Sequence, residues 1–471
     1  MSDNNSLNNI KQVYFVGIGG IGMSAITRFF NLKGLLVAGY DKTPSSVTDA
    51  LIDEGIKIVF SDDAALINDE FKNADTTLVV YTPAIDASHR QLIFFRENKF
   101  RVLKRSQILG LITETYNAIC VAGTHGKTTI STMAAHLYKQ SSVGCVAFLG
   151  GISKNYKTNF LWDENSQFVV VEADEFDRSF LTLTPQSALV SSVDADHLDI
   201  YENKDNLTTA FRMFAERIVP NGIFIVKNNL PVKWQLNENV KKLTYSLNGI
   251  SDYFATNIKQ DGDSYMFNLV TPEGIINDLK MGISGLLNVE NAIGACALAL
   301  NNGVTEDEIR ESLPSFTGIA RRFDIHINTP DLVYIDDYAH HPEEIRATLK
   351  SVRAMYPQHH ILGIFQPHLF TRTRDFYKEF AETLSMTDEL ILLDIYPARE
   401  KPIEGVSSQM IGNLIDNIPV HYYPKEELHN HIPVKKPQVI ITMGAGDIDR
   451  EVLLIKEKLV ELLNNDDSKK F

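Results

Sequence analysis

The chain has 471 residues, of which 44% are hydrophobic and 22% are charged, a composition typical of a soluble globular enzyme. Its length predicts about three domains of ~150 residues each. The formal net charge of −15 disfavours non-specific binding of nucleic acid, and no apolar run approaches the ~20 residues of a membrane span.

Two further features bear on the compartment. The N-terminal segment 1–9 is polar and has no apolar core like that of a signal peptide. Cys120, Cys145 and Cys296 lie in apolar surroundings without metal-ligand spacing, which predicts buried free thiols in a reducing environment. We therefore expect a cytoplasmic protein with neither a membrane nor a nucleic-acid partner.

The first predicted elements are a strand, a glycine-rich turn and a helix. The strand 13–16 runs into Gly-x-Gly-x-x-Gly at 17–22, and a helical stretch follows over 23–32. A second strand, 35–39, ends near Asp41, where a dinucleotide fold would place its ribose-binding acid. Taken alone, this pattern indicates NAD. The alternatives are another diphosphate held by the same turn and a purely structural turn.

Two more strands, 56–60 and 77–81, complete the first segment. The second of them ends at the loop that begins with Thr82. Ligands bind at such carboxyl ends of strands in open α/β sheets, so we expect this loop to lie at a binding site.

A second glycine loop, Gly-x-x-Gly-Lys-Thr, lies at 123–128 between an apolar strand, 118–122, and a helical stretch, 130–139. Backbone N–H groups of such a loop and the helix start can bind phosphate. Lys127 can reach the β- and γ-phosphates, and the Thr128 hydroxyl can ligate Mg²⁺. This context predicts a nucleoside triphosphate site, with a chance Gly-Lys-Thr turn as the alternative.

Acidic residues follow two strands of the middle segment. The strand 168–171 leads into Glu172, and the strand 188–193 leads into an acidic stretch that contains His197. Carboxylate oxygens are the ligands that Mg²⁺ prefers. Most such acids cap helices or face solvent, but we expect Glu172 and His197 to be functional.

The rest of the middle segment contains an amphipathic helix at 207–218 and an alternating stretch at 253–271. Asp-Gly at 261–262 is a hairpin signal, which predicts an antiparallel insert or flank. A long helix follows, and Asn288 and Asn291 lie on one face of it. These asparagines either start the helix or contact the nucleotide.

After a hinge-like stretch at 318–323, strands again alternate with helices, which predicts a mostly parallel sheet. Polar residues gather where the strands end, and arginines among them could hold a carboxylate by two-point contact. The alternative for each arginine is a solvated surface charge.

Two phosphate-type loops in one chain narrow the possible functions. A dehydrogenase has no use for the second loop, and a simple nucleotidase has no use for the first. An enzyme that joins a nucleotide-linked substrate to another molecule at the expense of ATP uses both.

Taken together, the motifs of this chain resemble those of the Mur ligase family, the ATP-dependent amide-forming enzymes of peptidoglycan synthesis. The resemblance covers nearly the whole chain in matching order. The segments that carry it are 15–24, 122–129, 172–175, 194–199, 321–323, 336–342, 366–368, 371–374 and 444–447.

The resemblance implies an α/β fold with three domains. These are a Rossmann-like UDP-sugar-binding domain at 1–108, a central P-loop ATPase-like domain with a mixed sheet at 109–319, and a Rossmann-like amino-acid-binding domain at 320–471. Hinge closure near Arg321 is expected, because the substrates span all three domains.

The resemblance also implies a role for each matching residue. The UDP diphosphate, rather than NAD, would be bound by residues of the first domain: Gly17, Gly19, Gly20, Ile21, Gly22, Asp41 and Thr82. ATP would be bound by Gly123, Thr124, His125, Gly126, Lys127, Thr128, Thr129, Asn288, Asn291, Arg322 and Asp337. Mg²⁺ would be bound by Thr128 and Glu172, with His197 at a second metal position.

In the third domain, the resemblance implies an L-alanine pocket lined by Tyr338, His340, His368 and Arg372. His340 is a candidate base for the amine proton, beside Lys127, Glu172 and His197 as catalytic residues. Many relatives have a basic residue where Leu369 stands, so Arg372 or Arg374 would have to hold the amino-acid carboxylate. Some relatives carry a carbamoylated lysine near the metal, and we assign none here.

The implied activity is the joining of L-alanine to the lactyl carboxylate of UDP-N-acetylmuramate through an acyl phosphate, with ATP and Mg²⁺ as cofactors. The alternative within the family is a recycling ligase that attaches a whole murein tripeptide to the same sugar nucleotide.

Overall fold

A computed structural model describes residues 9–194, 198–262, 264–398 and 400–467. The chain divides into two compact units, 1–318 and 319–471, and each is described by itself. The predicted α/β class is confirmed, since the first unit contains two sheets with helices and the second unit contains one.

The first sheet is fully parallel, with the strand order β3-β2-β1-β4-β5. It is the Rossmann-like arrangement that the family resemblance implied. Its strands are β1 (Gln12–Val16), β2 (Leu36–Tyr40), β3 (Lys57–Val59), β4 (Thr77–Tyr81) and β5 (Arg101–Lys104). Its helices are α1 (Ile21–Leu32), α2 (Ser46–Asp53), α3 (Arg90–Glu97) and α4 (Arg105–Thr113).

The central sheet has ten strands in the order β15-β14-β13-β12-β11-β10-β6-β9-β7-β8. Its strands are β6 (Asn117–Ala122), β7 (Val146–Ser153), β8 (Thr158–Leu161), β9 (Phe168–Glu172), β10 (Ser187–Val190), β11 (Ile223–Lys227), β12 (Lys241–Ser246), β13 (Tyr253–Asp261), β14 (Ser264–Thr271) and β15 (Gly274–Lys280). Its helices are α5 (Lys127–Gln140), α6 (Leu198–Tyr201), α7 (Lys204–Ala215), α8 (Leu286–Leu300) and α9 (Glu306–Ser312).

The central sheet is mixed, as predicted. Neighbouring strands are parallel from β13 to β7, whereas β14 and β15 at one edge and β8 at the other are antiparallel. The predicted hairpin is confirmed, because β13 and β14 are joined through Asp261 and Gly262. Since β12 pairs in parallel with β11, this region extends the central sheet as a flank.

The second unit contains a six-stranded sheet in the order β16-β17-β21-β18-β19-β20, parallel except for β16 at the edge. Its strands are β16 (Asp324–Asn328), β17 (Leu332–Asp337), β18 (His360–Phe365), β19 (Glu389–Leu392), β20 (Val420–Tyr422) and β21 (Gln438–Met443). Its helices are α10 (Pro342–Met355), α11 (Phe370–Leu384), α12 (Gln409–Gly412) and α13 (Asp449–Asp467).

Within the first unit, one hydrophobic cluster runs from β1 and α1 to the central sheet. Phe29 of α1 packs against the rings of Phe148, Phe160 and Trp162, with centroids 5.6, 6.3 and 5.9 Å away. Because aromatic burial dominates the energetics of such contacts, the first sheet is held firmly against the central one.

Polar contacts reinforce the same packing. Asn159 of β8 is fully buried, and its amide group donates to the Ile21 carbonyl and to the Ser24 hydroxyl at the start of α1. Its side-chain oxygen accepts from Arg28, which also pairs with Glu54 at 2.7 Å. Every polar atom of this buried amide therefore has a partner across the two sheets.

Two predictions from the sequence concern the cysteines and membrane-spanning segments. Cys120, Cys145 and Cys296 are buried free thiols, as predicted. None of the helices in the described ranges is both long and apolar enough to cross a membrane.

Candidate active site

The loop that follows β6 is a tight glycine turn that leads directly into a helix. Gly123 and Gly126 have φ angles of +138° and +82°, which glycine adopts without the steric cost of a side chain. A Cβ at Gly123 would lie 2.1 Å from the Ser191 hydroxyl. Helix α5 begins at Lys127, and Thr128 and Thr129 lie in its first turn, so the loop delivers free N–H groups at a helix start.

Two serines after β10 hold this loop in place. The Ser192 hydroxyl accepts from the backbone N–H of His125 at 2.7 Å and lies 2.9 Å from the Thr124 hydroxyl. The Ser191 hydroxyl donates to the His125 carbonyl. The His125 ring lies 3.8 Å from the Asp194 carboxylate, so the segment after β10 contacts both the backbone and a side chain of the loop.

The Lys127 ammonium group is paired inside the protein. It donates to the Glu175 carboxylate at 2.8 Å, to the Gly123 carbonyl at 2.6 Å and to the Thr124 carbonyl at 3.4 Å. Desolvation lowers the pKa of Lys127, but nearby carboxylates, Glu175 first among them, outweigh it and raise that pKa to about 12. Lys127 is therefore charged.

Thr128 and Glu172 form a pair of oxygen ligands beside the loop. The Thr128 hydroxyl donates to the Glu172 carboxylate at 3.0 Å. On the neighbouring strand, a Cβ at Gly150 would lie 2.1 Å from Glu172 Oε2, so the carboxylate rests directly on the Gly150 backbone. Only glycine leaves room for it at this position.

Helix α8 brings a side chain to the same loop. The buried side chain of Asn291 lies so close to Gly126 that a Cβ there would be 3.0 Å from its Oδ1. The Asn291 amide donates to Asn288 Oδ1 at 3.2 Å, and Asn288 donates to the Ser284 carbonyl. Asn291 thus contacts the loop, and Asn288 near the helix start holds the Asn291 side chain in place.

The glycine turn after β1 is shaped by two side chains. A Cβ at Gly17, whose φ is +88°, would lie 2.4 Å from the Thr82 methyl group, so Thr82 packs on the turn. The Asp41 carboxylate accepts from the Gly19 N–H at 2.7 Å. The Asp41 side chain thus stabilises the turn by accepting a hydrogen bond from the backbone of the turn. The ribose-binding interpretation did not include this role.

The end of the same turn contacts Arg105 of α4, which in turn reaches the acidic segment after β9. The Arg105 guanidinium lies against Gly22, where a Cβ would be 2.2 Å from it. The same guanidinium lies 3.7 Å from the Asp174 carboxylate, which belongs to the acidic segment after β9. Gly20 directly precedes α1 and Ile21 is its first residue, so the helix start and Arg105 present positive potential on one side of the turn.

In the second unit, the segment entering β16 packs on Tyr338. The guanidinium carbons of Arg321 and Arg322 lie 5.2 and 5.1 Å from the Tyr338 ring centroid. Arg321 is otherwise engaged, since it pairs with Asp336 at 3.2 Å and donates to the Gly444 carbonyl at 2.6 Å. Arg322 is therefore the better placed of the two to contact a ligand.

His340 follows on the loop after β17. Its Nδ1 lies 2.9 Å from the Tyr338 carbonyl and 3.4 Å from the Glu344 carboxylate. Since a carbonyl oxygen can only accept, Nδ1 carries the proton and Nε2 keeps its lone pair. Burial lowers the pKa of His340, and Arg372 and Arg322 lower it further, against the opposing effect of Glu344. His340 is thus a neutral imidazole at pH 7.

His368 and Arg372 lie next to His340. The rings of His340 and His368 are 5.9 Å apart, and His368 stacks on Tyr396 at 5.8 Å. Arg372 Nη1 lies 3.4 Å from His368 Nδ1.

The position that departs from the family pattern has an unusual backbone. Leu369 has a φ of +73° and directly precedes α11, a conformation that costs energy for a residue other than glycine. Arg374, the other candidate for the carboxylate, is exposed and pairs with Asp375 at 2.8 Å. The structure therefore brings Arg372, and not Arg374, to the histidine cluster.

The Asp337 carboxylate is buried at the end of β17 and has several protein partners. It accepts from the Ala339 N–H at 2.8 Å, the Phe323 N–H at 3.1 Å and the Thr348 hydroxyl at 3.2 Å. Burial raises the pKa of Asp337 to about 6, although Arg322 opposes that shift. Asp337 thus joins the entering segment to the loop that carries His340.

Comparison with known proteins decides the family. Residues 12–117 match the model of the Mur ligase family catalytic domain, 121–299 the Mur ligase middle domain, and 321–446 the Mur ligase glutamate ligase domain. The chain is 49% identical to a Parabacteroides distasonis protein named UDP-N-acetylmuramate–L-alanine ligase, over 96% of this chain and 98% of that relative. A Porphyromonas gingivalis protein of the same name is also 49% identical, over 96% of this chain and all of the relative.

The chain belongs to the Mur ligase family. A solved structure of UDP-N-acetylmuramate–alanine ligase from Thermotoga maritima has a TM-score of 0.80 and 26% identity, and covers 96% of this chain and 99% of its own. A murein peptide ligase from Psychrobacter arcticus, with a TM-score of 0.70 and 21% identity over 95% of this chain and 98% of its own, shows the same fold.

In this Mur ligase, the structure gathers most of the predicted site residues into local groups. The phosphate loop, Glu172 and Asn291 form one group, the first glycine turn with Asp41 and Thr82 forms another, and Tyr338, His340, His368, Arg372 and Arg322 form a third. His197 lies outside the described residues.

Several residues that complete these groups in this Mur ligase were not predicted from the sequence. They are Ser191, Ser192, Glu175, Gly150, Arg105, Glu344 and Tyr396. Glu175 is the last residue of the acidic segment that begins with Glu172 at the end of β9, so its position in that segment was a usable signal. Glu344 lies four residues after His340, so its spacing was also a usable signal. The others have no comparable signal, because their contacts join positions that are far apart in the chain.

Proposed function

We propose that this Mur ligase joins L-alanine to the lactyl carboxylate of UDP-N-acetylmuramate with consumption of ATP. The observation that carries the proposal is the 49% identity, over nearly the full length, to relatives that bear this name. The three groups of site residues support it, since they comprise two glycine turns at helix starts and one cluster of two histidines with arginine side chains.

The chemistry requires an activated carboxylate. A free carboxylate does not accept an amine at pH 7, because the leaving group would be oxide. The muramoyl carboxylate therefore attacks the γ-phosphate of ATP, which gives an acyl phosphate and ADP. The amine of L-alanine then attacks the carbonyl carbon, and the tetrahedral intermediate collapses to the amide and inorganic phosphate.

The first step brings two anions together, so positive potential has to be supplied by the site. In the proposal, Lys127 and the N–H groups at the start of α5 bind the phosphates, with Asn291 against Gly126 supporting the loop. The turn 17–22, with Arg105 beside it, binds the diphosphate of the sugar nucleotide.

The residues present fit a magnesium ion. The Thr128 hydroxyl and the Glu172 carboxylate are hard oxygen ligands 3.0 Å apart, and the lack of a side chain at Gly150 leaves room for that carboxylate. Mg²⁺ uses one or two protein ligands together with phosphates and water, and these two side chains would supply the protein ligands. Bound there, Mg²⁺ would neutralise charge on the triphosphate.

In the second step, the L-alanine ammonium must lose a proton. His340 is proposed as the base, because its Nε2 keeps a lone pair while Nδ1 donates to the Tyr338 carbonyl. Arg372 is proposed to hold the amino-acid carboxylate, since it is the arginine beside His368. A charge-assisted pair of this kind fixes the amine relative to the imidazole.

The experiment that tests the proposal measures phosphate release from ATP, Mg²⁺ and UDP-N-acetylmuramate with each of the amino acids in turn. We expect release with L-alanine well above that with other amino acids, and none with Lys127→Ala. A parallel reaction supplies L-alanyl-γ-D-glutamyl-diaminopimelate in place of L-alanine. Turnover with the tripeptide and not with L-alanine would contradict the proposal and establish the recycling activity.

A further inference from the structure

The buried ion pair between Lys127 and Glu175 has a consequence for nucleotide binding. The Glu175 side chain is fully buried, and the Lys127 side chain is mostly so. Removing one partner from a buried pair leaves an uncompensated charge, so each group strongly constrains where the other can lie. Lys127 is the residue of this loop expected to contact phosphate, and its position is therefore set by Glu175.

Glu175 is itself held in place by its neighbours. Its carbonyl accepts from the Tyr201 hydroxyl at 2.6 Å and from the Arg178 N–H at 3.0 Å. Asp177 and Arg178 follow with φ angles of +53° and +55°, a conformation that non-glycine residues adopt rarely. This tight turn fixes the backbone of Glu175, so the carboxylate cannot simply follow Lys127 if the lysine moves.

The ammonium group of a lysine has three donors, and all three of Lys127 are directed to protein acceptors. A phosphate oxygen can bind Lys127 only by replacing one of these acceptors or by drawing the ammonium away from Glu175. Burial raises the pKa of Glu175, and the Lys127 ammonium 2.8 Å away opposes that shift. The arriving phosphate and the Glu175 carboxylate therefore compete for the same cation.

We propose that Glu175 is a positioning residue that competes with the nucleotide phosphates for Lys127 and places its ammonium group for phosphoryl transfer. Glu175 weakens nucleotide binding because the phosphates must share or displace its ion pair. It supports turnover because it aims the ammonium at a defined point. The effect on turnover rests on the proposed function, whereas the effect on binding does not.

The test uses Glu175→Gln in the full-length protein and measures two quantities. We expect the Kd for ADP, measured by titration calorimetry without other substrates, to fall at least about fivefold, as for a typical coupling between two sites. We expect kcat for ATP-dependent ligation to fall about 10- to 100-fold, since small misplacement of a catalytic group costs that much. If the role of Glu175 were purely structural, Glu175→Gln would weaken ADP binding and lower kcat together.

Asp177→Asn is the matched control. It removes one negative charge from the same segment, but the Asp177 carboxylate lies 3.9 Å from Lys104 and is not among the partners of Lys127. We expect the Kd for ADP and kcat within about twofold of the wild-type values, because an exposed charge is well screened. An equal gain in ADP affinity in both variants would overturn the proposal, since it would reflect net charge alone.

Two more variants show whether Glu175 acts through Lys127. In a Lys127→Ala background, Glu175→Gln should no longer tighten ADP binding. Glu175→Asp keeps the charge on a shorter side chain, and it should retain an ADP affinity near that of the wild type with a reduced kcat.

If Glu175→Gln does not fold, a wild-type kcat in Glu175→Asp would by itself overturn the proposal. A wild-type protein that binds ADP but does not use L-alanine would contradict the proposed function and leave the binding result interpretable.

Discussion

The Asn159 side chain of β8 donates to the Ile21 carbonyl, 138 residues earlier in the chain, at the start of α1. One buried amide thus connects the central sheet to the helix that follows the first glycine turn. Because both sheets belong to one compact unit, this contact ties the geometry of the proposed UDP site to the sheet that carries the phosphate loop.

Replacement of Asn159 by alanine should destabilise the first unit. It leaves the Ile21 carbonyl without this donor and removes an acceptor of the buried Arg28, which we expect to lower the free energy of unfolding by about 2–3 kcal/mol. Both tryptophans of the chain, Trp162 and Trp234, lie in this unit, so tryptophan fluorescence during urea unfolding reports on it. Asn165→Ala, at an exposed position nearby, should match the wild type. Equal unfolding midpoints for both variants would show that the Asn159 hydrogen bonds do not stabilise the first unit.

Replacement of Glu172 by glutamine should raise the Mg²⁺ requirement. The amide can still accept from Thr128, but it no longer offers a charged oxygen ligand, so we expect half-saturation at a Mg²⁺ concentration at least about tenfold higher. Binding of ADP in the absence of Mg²⁺ should change little. The measurement is ligation rate against Mg²⁺ concentration, with the exposed Glu164→Gln as control. An unchanged Mg²⁺ curve would remove Glu172 from the metal site.

Replacement of Arg372 by alanine should weaken use of L-alanine. Loss of a charge-assisted hydrogen bond costs about 1.5–3 kcal/mol, so we expect the KM for L-alanine to rise about 10- to 150-fold, with the KM for ATP unchanged. Arg374→Ala is the matched control, since Arg374 is exposed and pairs with Asp375. If Arg374→Ala raised the KM for L-alanine and Arg372→Ala did not, the two roles would have to be exchanged.

The pH dependence of ligation should follow His340. Because burial lowers its pKa, His340 stays neutral at pH 7, and activity should fall only as acidification through that lowered pKa protonates Nε2. Glu344 opposes the lowering, so Glu344→Gln should lower the pKa further and move the acid limb to lower pH.

The controls for this pH profile are two histidine variants. His340→Gln should abolish the limb together with most of the turnover, whereas His341→Gln, whose ring packs on Phe376, should retain the limb. The profile is read from kcat against pH. An acid limb that moved to higher pH in Glu344→Gln would contradict the assignment of His340 as the base.

The glycine loops and the parallel sheets could be predicted because their signals are local. The run from β6 through Gly126 to α5 carries its strand, turn and helix within one stretch of chain, and the backbone requirement for glycine is visible in the sequence. The alternation of strands and helices likewise predicts parallel sheets.

The supports of these loops could not be predicted, because their contacts are distant in the chain. Ser192 binds the backbone of His125 across 67 positions, and Asn159 contacts α1 across more than 130. Asp41 was placed correctly near the first turn, but its use as an acceptor for the Gly19 N–H depends on how the turn closes in three dimensions. Arg372 and Arg374 were equivalent in sequence, and only the direction of each along α11 distinguishes them.

The crowding of Glu172 against Gly150 has an evolutionary consequence. A library with every amino acid encoded at codon 150, selected for growth in cells that depend on this enzyme, should yield glycine almost exclusively. Inhibitors that contact Glu172 in this position would therefore depend on a neighbouring glycine that the cell has no simple way to replace.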